Sequence, residues 1–178
     1  MIEHVLFLRH FETLHNAEKR ICGRSLEVPV LRKPDILCDI PVDLAICSPA
    51  VRCVETLDAF LRHSQVPSVS YDSALVERDM GRMEGQLRSE MSAAYPELFS
   101  GNKFRLYQTP PDGETFEAFH DRVKIFWEQV NMKHSGTLLV CSHNQFMKML
   151  YFVVHGLPIT ETAWKKLSFP HGVLEQII

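Results

Sequence analysis

The chain has 178 residues, 46% of them hydrophobic, which is enough for one sizeable core and short for two. Its formal charge is -3 and its 19 Lys and Arg residues are scattered, so neither nucleic acid nor a membrane surface is expected as a partner. Five cysteines form an odd set without CxxC spacing, which argues against a disulfide framework or zinc ribbon and makes a reducing cytoplasm the expected compartment.

Val5 to Leu8 is a continuous apolar run bounded by polar residues, the pattern of a strand buried on both faces. Residues 26–41 contain Pro29, Pro34 and Pro41, leaving little room for a long helix in the first crossover. Leu44 to Ile46 reads as a second buried strand, and a helix over Pro49–Leu61 follows, with Ser48 as its expected N-cap. A strand near Val69 leads into a loop over Leu75–Gly81. Phe119, Val123, Phe126, Trp127 and Val130 share one face of a helix over 116–130. Thr137 to Cys141 is a third buried strand, and a helix from about Gln145 to His155 follows it, stopped by Gly156 and Pro158. No repeat or linker divides the chain. The alternation predicts a single domain over 1–178, a three-layer α/β/α sandwich with a mostly parallel central sheet and an abbreviated first crossover.

Ligand sites in such sheets lie beyond the carboxyl ends of the strands. Arg9-His10 follows the first strand, Arg52 the second, and His143 the last. Two guanidiniums and two imidazoles there would suit a dianionic tetrahedral group, so the expected partner is a small phosphorylated metabolite. Arginines can supply the positive field, so neither metal nor cofactor is required. His10 is the candidate nucleophile. Glu77 is the chosen proton donor, with Asp79 and Glu84 as competitors. The remaining histidines lack metal-ligand spacing, and His171 is the one placed to line the site's mouth. Glu12, Glu114 and Arg122 read as capping or ion-pairing residues. A cysteine phosphatase is disfavoured because Cys47 and Arg52 are one residue too close for its phosphate loop.

Five elements match a known pattern in its order. Leu6 to Asn16 resembles L-x-R-H-G-E-T-x-x-N with Phe11 for glycine, and Ser48 to Thr56 resembles S-P-x-x-R-x-x-x-T. Leu75 to Gly85 resembles L-x-E-x-x-x-G-x-x-E-G, Pro111 to Thr115 resembles P-x-G-E-(S/T), and Ser142-His143-Asn144 resembles S-H-G. Together these resemble the histidine phosphatase superfamily, the phosphoglycerate mutase-like family, and within it the branch of α-ribazole phosphatase-like and broad-specificity phosphatases.

The resemblance implies His10 as nucleophile, Arg9, Arg52 and His143 as phosphate ligands, and Glu77 as proton donor. It also implies that Asn16, Cys22, Gly23 and the Asn144 backbone face phosphate or substrate. Two departures carry expectations. Phe11 is expected to narrow the site or shift His10, and Asn144 to be tolerated because asparagine accepts left-handed torsions. The expected activity is metal-independent phosphomonoester hydrolysis through phospho-His10. The alternatives are an inactive phosphate-binding module and a mutase-type phosphotransferase, the latter disfavoured by the short segment between Gly85 and Pro110. Monomer and homodimer stay equally open.

Overall fold

The computed structural model describes residues 1–178. In chain order the elements are β1 (Ile2–Arg9), α1 (Leu14–Ala17), β2 (Leu44–Cys47), α2 (Val51–Leu61), β3 (Ser68–Tyr71), α3 (Arg88–Ala94), β4 (Phe99–Ser100) and β5 (Lys103–Phe104). They continue with α4 (Phe116–Lys133), β6 (Gly136–Ser142), α5 (Asn144–His155), α6 (Glu161–Lys166) and β7 (Leu174–Gln176). No helix is long and apolar enough to cross a membrane.

The main sheet has the order β3-β2-β6-β1-β7. The first four strands are parallel and β7 runs antiparallel to β1 at the edge. Side chains alternate across each strand. Val5 and Phe7 of β1, Ile46 of β2 and Leu138 and Val140 of β6 therefore meet Phe119, Val123 and Phe126 of α4 and Phe146 and Leu150 of α5. Leu6 and Leu8, Ala45 and Cys47, and Leu139 and Cys141 point the other way, onto Cys53, Leu57 and Phe60 of α2. Two apolar layers thus sandwich the sheet, each large buried side chain contributing roughly 1.5–3 kcal/mol of transfer free energy. The three-layer architecture follows from the double-faced burial of β1, β2 and β6.

Between β1 and β2 the only helix is the four-residue α1, so the first crossover is short of helix as its prolines imply. Val30, Ile36 and Val42 pack against the α2 layer from this connection. It is tied to the same helix by polar contacts: the Val30 backbone N–H and Lys33 Nζ both reach the Glu55 carboxylate, at 2.9 and 2.7 Å.

Two local expectations need correction. Ser48 is not the N-cap of α2: Ala50 holds that position without a side-chain cap, and the Ser48 hydroxyl instead meets His143. Phe11 does not narrow the site. Its ring is buried in the α2 layer, and it faces Gly172 so closely that a Cβ there would stand 2.4 Å from the ring. Gly172 has φ +68°, and its N–H donates to the Arg9 carbonyl at 2.9 Å. The large ring and the residue without a side chain are therefore complementary across the end of β1.

Removing that ring should leave a cavity. Phe11→Ala is expected to destabilise the protein by about 3–5 kcal/mol in urea denaturation. Gly172→Ala should also destabilise, through its positive φ and the clash. In the double variant the two losses should fall short of their sum by about 1 kcal/mol or more, because the clash disappears with the ring. Additive losses would contradict the proposed fit.

Candidate active site

β6 lies between β1 and β2, and the register pairs Arg9 with Ser142 and Cys47 with Cys141. All three strands end on one line, so His10, Ser48 and His143 leave the sheet side by side. Backbone bonds hold this edge: the His10 N–H donates to Ser142 O and the Ser48 N–H to Cys141 O, both at 3.0 Å. The His10 and His143 ring centroids are 5.3 Å apart.

Hydrogen bonds fix the tautomer of each ring. The Phe11 carbonyl can only accept, so His10 Nδ1 carries the proton it donates there at 2.6 Å. His10 Nε2 then bears the free lone pair. Arg52 Nε can only donate, so His143 Nδ1 accepts from it at 3.3 Å, and His143 Nε2 donates to the Ser48 hydroxyl at 2.9 Å. Burial, followed by the Arg52 charge, holds both imidazoles well below the usual histidine range. His10 is therefore a neutral imidazole with an exposed lone pair at neutral pH.

Arg52 is fully buried yet meets no carboxylate. Besides His143, its guanidinium donates to the carbonyls of Ser25 and, at 3.0 Å, Gly23. Arg9 donates one N–H to the Phe169 carbonyl at 2.7 Å, and its buried Nε has no partner. Each guanidinium has five N–H groups, so Arg52 retains two and Arg9 four beyond those committed to the protein. Both side chains line one pocket of ≈250 Å³ together with His10, His143 and Glu77.

Among the three candidate acids only Glu77 reaches this pocket. Its Oε1 accepts from the Arg78 and Phe146 N–H groups at 3.0 and 3.1 Å, and its Oε2 from the Gln145 N–H at 3.1 Å. Gln145 and Phe146 open α5, so the carboxylate caps that helix. Asp79 instead accepts from the Gly81 N–H, and Glu84 from the N–H groups of Arg24 and Met80. Gly23, at φ +51°, lies so close to Glu84 that a Cβ would overlap its carboxyl.

The remaining expected residues line the same pocket. Asn16 closes a capping box with Thr13 and donates to Cys22 Sγ at 3.6 Å. Burial pushes the Cys22 thiol up, which keeps it protonated. Asn144 is not in the left-handed region, where Lys19 and Asp112 are the non-glycine residues, so the expected torsional reason for asparagine does not apply. Its Oδ1 instead accepts from the Phe169 N–H at 3.1 Å. Glu114 and Arg122 form the expected ion pair, at 2.8 Å, and Arg122 also bonds the Ala74 and Val76 carbonyls just ahead of Glu77. Cys47 lies in the core and its thiol donates to the Ser48 carbonyl, far from a nucleophile's surroundings.

Of the tail after α6 the sequence reading singled out His171 alone, for the site's mouth; His171 does not line the pocket, and the tail's backbone contacts were missed. Phe169 accepts from Arg9 and donates to Asn144 Oδ1, His171 Nδ1 donates to the His10 carbonyl at 2.8 Å, and the Gly172 N–H donates to the Arg9 carbonyl. His171 stands with its ring centroid 5.1 Å from that of His10, against the backbone of the site. No motif marks these backbone contacts. The pocket also gathers Arg88, Lys103 and Lys148, which lie on separate elements and carry no shared pattern.

The lowered histidines link stability to pH. In the unfolded chain His10 and His143 take up protons as pH falls through about 6.5, whereas in the fold they resist doing so. The unfolded state then binds more protons, so stability is lost on acidification below about 6.5, by up to about 1.4 kcal/mol per pH unit for each ring. Urea midpoints measured from about pH 7.5 to 5.5 should show this slope, and His10→Gln should reduce it. An unchanged slope in that variant would contradict a neutral buried His10.

Comparison with known proteins gives the family and the fold. The family model of the histidine phosphatase superfamily (branch 1) matches residues 5–173. The mouse fructose-2,6-bisphosphatase TIGAR is 31% identical over 132 residues, 68% of this chain and 48% of that protein. The chain spans about half the length of the TIGAR proteins it matches. The Escherichia coli adenosylcobalamin/alpha-ribazole phosphatase is 26% identical over 167 residues, 88% of this chain and 81% of that one. In structure, the alpha-ribazole phosphatase from Shigella flexneri superposes with a TM-score of 0.75 at 21% identity, covering 97% of this chain and 89% of its own. Bacillus stearothermophilus YhfR gives 0.78 at 20% identity with the same coverages. With its sandwich, its paired histidines and the family pattern running through nearly its whole length, the chain belongs to the histidine phosphatase superfamily.

Proposed function

We propose that the protein is a phosphomonoester hydrolase that works through a phosphohistidine on His10, with Glu77 as the proton donor. The orientation of His10 carries the reading. Its Nδ1–H is held by the Phe11 carbonyl, so the lone pair on Nε2 faces a pocket lined by two arginines.

The ester's phosphoryl oxygens take the free N–H groups of Arg9 and Arg52, which offset the charge that builds on them as phosphorus is attacked. His143, which the resemblance implies as a phosphate ligand, has both ring nitrogens engaged, by Arg52 and by Ser48, so its part in this reading is to orient Arg52. His10 Nε2 forms a bond to phosphorus and the ester P–O bond breaks. The positive charge developing on the ring lies against the Phe11 carbonyl.

The leaving oxygen takes its proton from Glu77. Each carboxyl oxygen has two lone-pair sites. Oε1 has both occupied by N–H donors, whereas Oε2 has one occupied. The transferable proton therefore resides on Oε2. Glu77, now a carboxylate, then takes a proton from the water that attacks phosphorus. The P–N bond breaks, phosphate leaves, and His10 returns to its neutral form.

A hydrolase is favoured over the mutase-type alternative because the only elements between Gly85 and Pro110 are α3, one 3₁₀ turn and the two-residue strands β4 and β5. That segment offers little cover to retain an intermediate away from water. The inactive-module alternative rested on Phe11, whose ring is packed away from the pocket.

Hydrolysis of p-nitrophenyl phosphate should fall by on the order of 10⁴-fold in His10→Ala. Rapid acid-free quenching with radiolabelled substrate should trap label on the wild-type protein and none on that variant. Glu77→Gln should slow alkyl phosphates about 10²–10⁴-fold, and p-nitrophenyl phosphate much less, because its leaving group needs no proton. Equal losses on both substrates would remove Glu77 from the proton-transfer role. Absence of any turnover, with phosphate still bound, would favour the binding module.

A further inference from the structure

The peptide that joins His10 to Phe11 lies just past the end of β1, where the sheet stops supplying partners. The His10 N–H still pairs with Ser142 O of β6, but the two polar groups of the next peptide are met by side chains. The Phe11 N–H donates to Thr56 Oγ1 at 2.9 Å, and the His10 carbonyl accepts from His171 Nδ1 at 2.8 Å. In a trans peptide these groups point in opposite directions. Thr56 of α2 therefore grips one edge of the peptide and His171 of the tail grips the other, from positions 45 and 161 residues away in sequence. Backbone groups beyond a strand can find backbone or water partners. Here two separate elements each commit a side chain to one peptide.

Thr56 is fully buried, and its hydroxyl is directed by its own helix. It donates to the Arg52 carbonyl one turn earlier at 2.7 Å, which leaves a lone pair for the Phe11 N–H. One hydroxyl thus joins the backbone beside His10 to the backbone of Arg52. Phe11 is held at its N–H by Thr56 and at its ring by Gly172 and the α2 layer, and the Glu12 carbonyl beyond it accepts from the Leu31 N–H at 2.9 Å. What these contacts leave is the Phe11 carbonyl, which accepts the His10 Nδ1 proton at 2.6 Å. The tail needs no help from His171 to stay in place, since Phe169, Gly172 and the pairing of β7 with β1 already fasten it. The His171 bond constrains His10 instead.

We propose that Thr56 and His171 are positioning residues for the nucleophile: together they clamp the His10–Phe11 peptide so that the Phe11 carbonyl keeps the proton on His10 Nδ1 and the lone pair stays on Nε2. That His10 reacts rests on the phosphatase reading, whereas the clamp and the tautomer it sets belong to the resting protein. In a neutral imidazole the hydrogen bond at one nitrogen decides where the proton sits. Release of either edge lets the peptide turn and draws the Phe11 carbonyl away from Nδ1. A fraction of His10 then carries its proton on Nε2, the nitrogen that must attack phosphorus. The Arg9 and Arg52 guanidiniums keep their own contacts in that event, so substrate still binds and the loss falls on the chemical step.

Nitrogen-15 NMR of the imidazole rings in the substrate-free protein at neutral pH reads the tautomer directly, with the His10 signals assigned by their loss in His10→Gln. Wild-type His10 should show a protonated Nδ1 and a bare Nε2. In Thr56→Val, which is nearly isosteric and drops both bonds, and in His171→Ala, the two nitrogen shifts should move toward each other as the tautomers mix. Thr56→Ser and His171→Asn each keep a group able to remake the lost bond and should return the wild-type pattern. With p-nitrophenyl phosphate, kcat should fall about tenfold or more in Thr56→Val and His171→Ala while KM changes less than about twofold, and the serine and asparagine variants should recover most of the loss. If Thr56→Val does not fold, His171→Ala, at a half-buried position in the tail, carries the same comparison. A lowered urea midpoint with the tautomer and kcat of the folded protein unmoved would make both residues structural and overturn the clamp, leaving the phosphatase reading intact. A tautomer that mixes in the variants of a protein hydrolysing no phosphomonoester supports the clamp and counts against the phosphatase reading alone.

Discussion

Arg52 is a fully buried cation whose protein partners are all neutral: one imidazole nitrogen and two backbone carbonyls. Much of the site follows from that choice. Had evolution placed a carboxylate against it, the guanidinium would be neutralised and the two histidines would lose the field that helps hold them unprotonated. With carbonyls instead, the guanidinium is oriented without being discharged. The charge stays available to an anion, and both His143 beside it and His10 stay neutral. Such an arrangement costs stability when empty, since burial of unpaired charge is unfavourable, and an anion that binds the folded state recovers it.

Which parts of this were legible in the sequence is itself a physical question. β1, β2 and β6 could be read because strands buried on both faces appear as unbroken apolar runs, and α4 and α5 because one buried face imposes a helical period. The short elements could not be. β7 has three residues, β4 and β5 two each, and α6 six, so no period can develop and their existence depends on what they pack against. Lys148, Arg88 and Lys103 escaped for a related reason, being single residues on different elements whose meeting is purely tertiary.

Phe11 shows a different limit. Its place in the motif gave the position of its backbone, beside His10, but not the direction of its side chain. The ring turns into the α2 layer because Gly172, 161 residues further along the chain, leaves room for it, just as His171 reaches back over the same span to His10. A substitution that reads as an obstruction is, in space, half of a pair. Ser48 was misread in the same way: a residue type suited to capping a helix was required by an imidazole instead.

The start of α5 brings these strands together. A helix N-terminus is a natural place for a phosphate, since its N–H groups lack partners and its dipole favours negative charge. Here the N–H groups of Gln145 and Phe146 hold Glu77. That carboxylate occupies the helix end, while the guanidiniums of Arg9 and Arg52 keep N–H groups free toward the pocket. In return the acid is fixed with respect to His143, which is the N-cap residue of the same helix and the neighbour of Arg52. Asn144 next in line clamps the tail segment that also bonds Arg9, and Lys148 follows one turn later. Because a folded helix has few soft torsions, these contacts keep a common geometry. A shift of α5 relative to the sheet would therefore disturb Glu77, His143 with its partner Arg52, and the tail at Phe169 at once, whereas a change in the surface loops would touch only one of them.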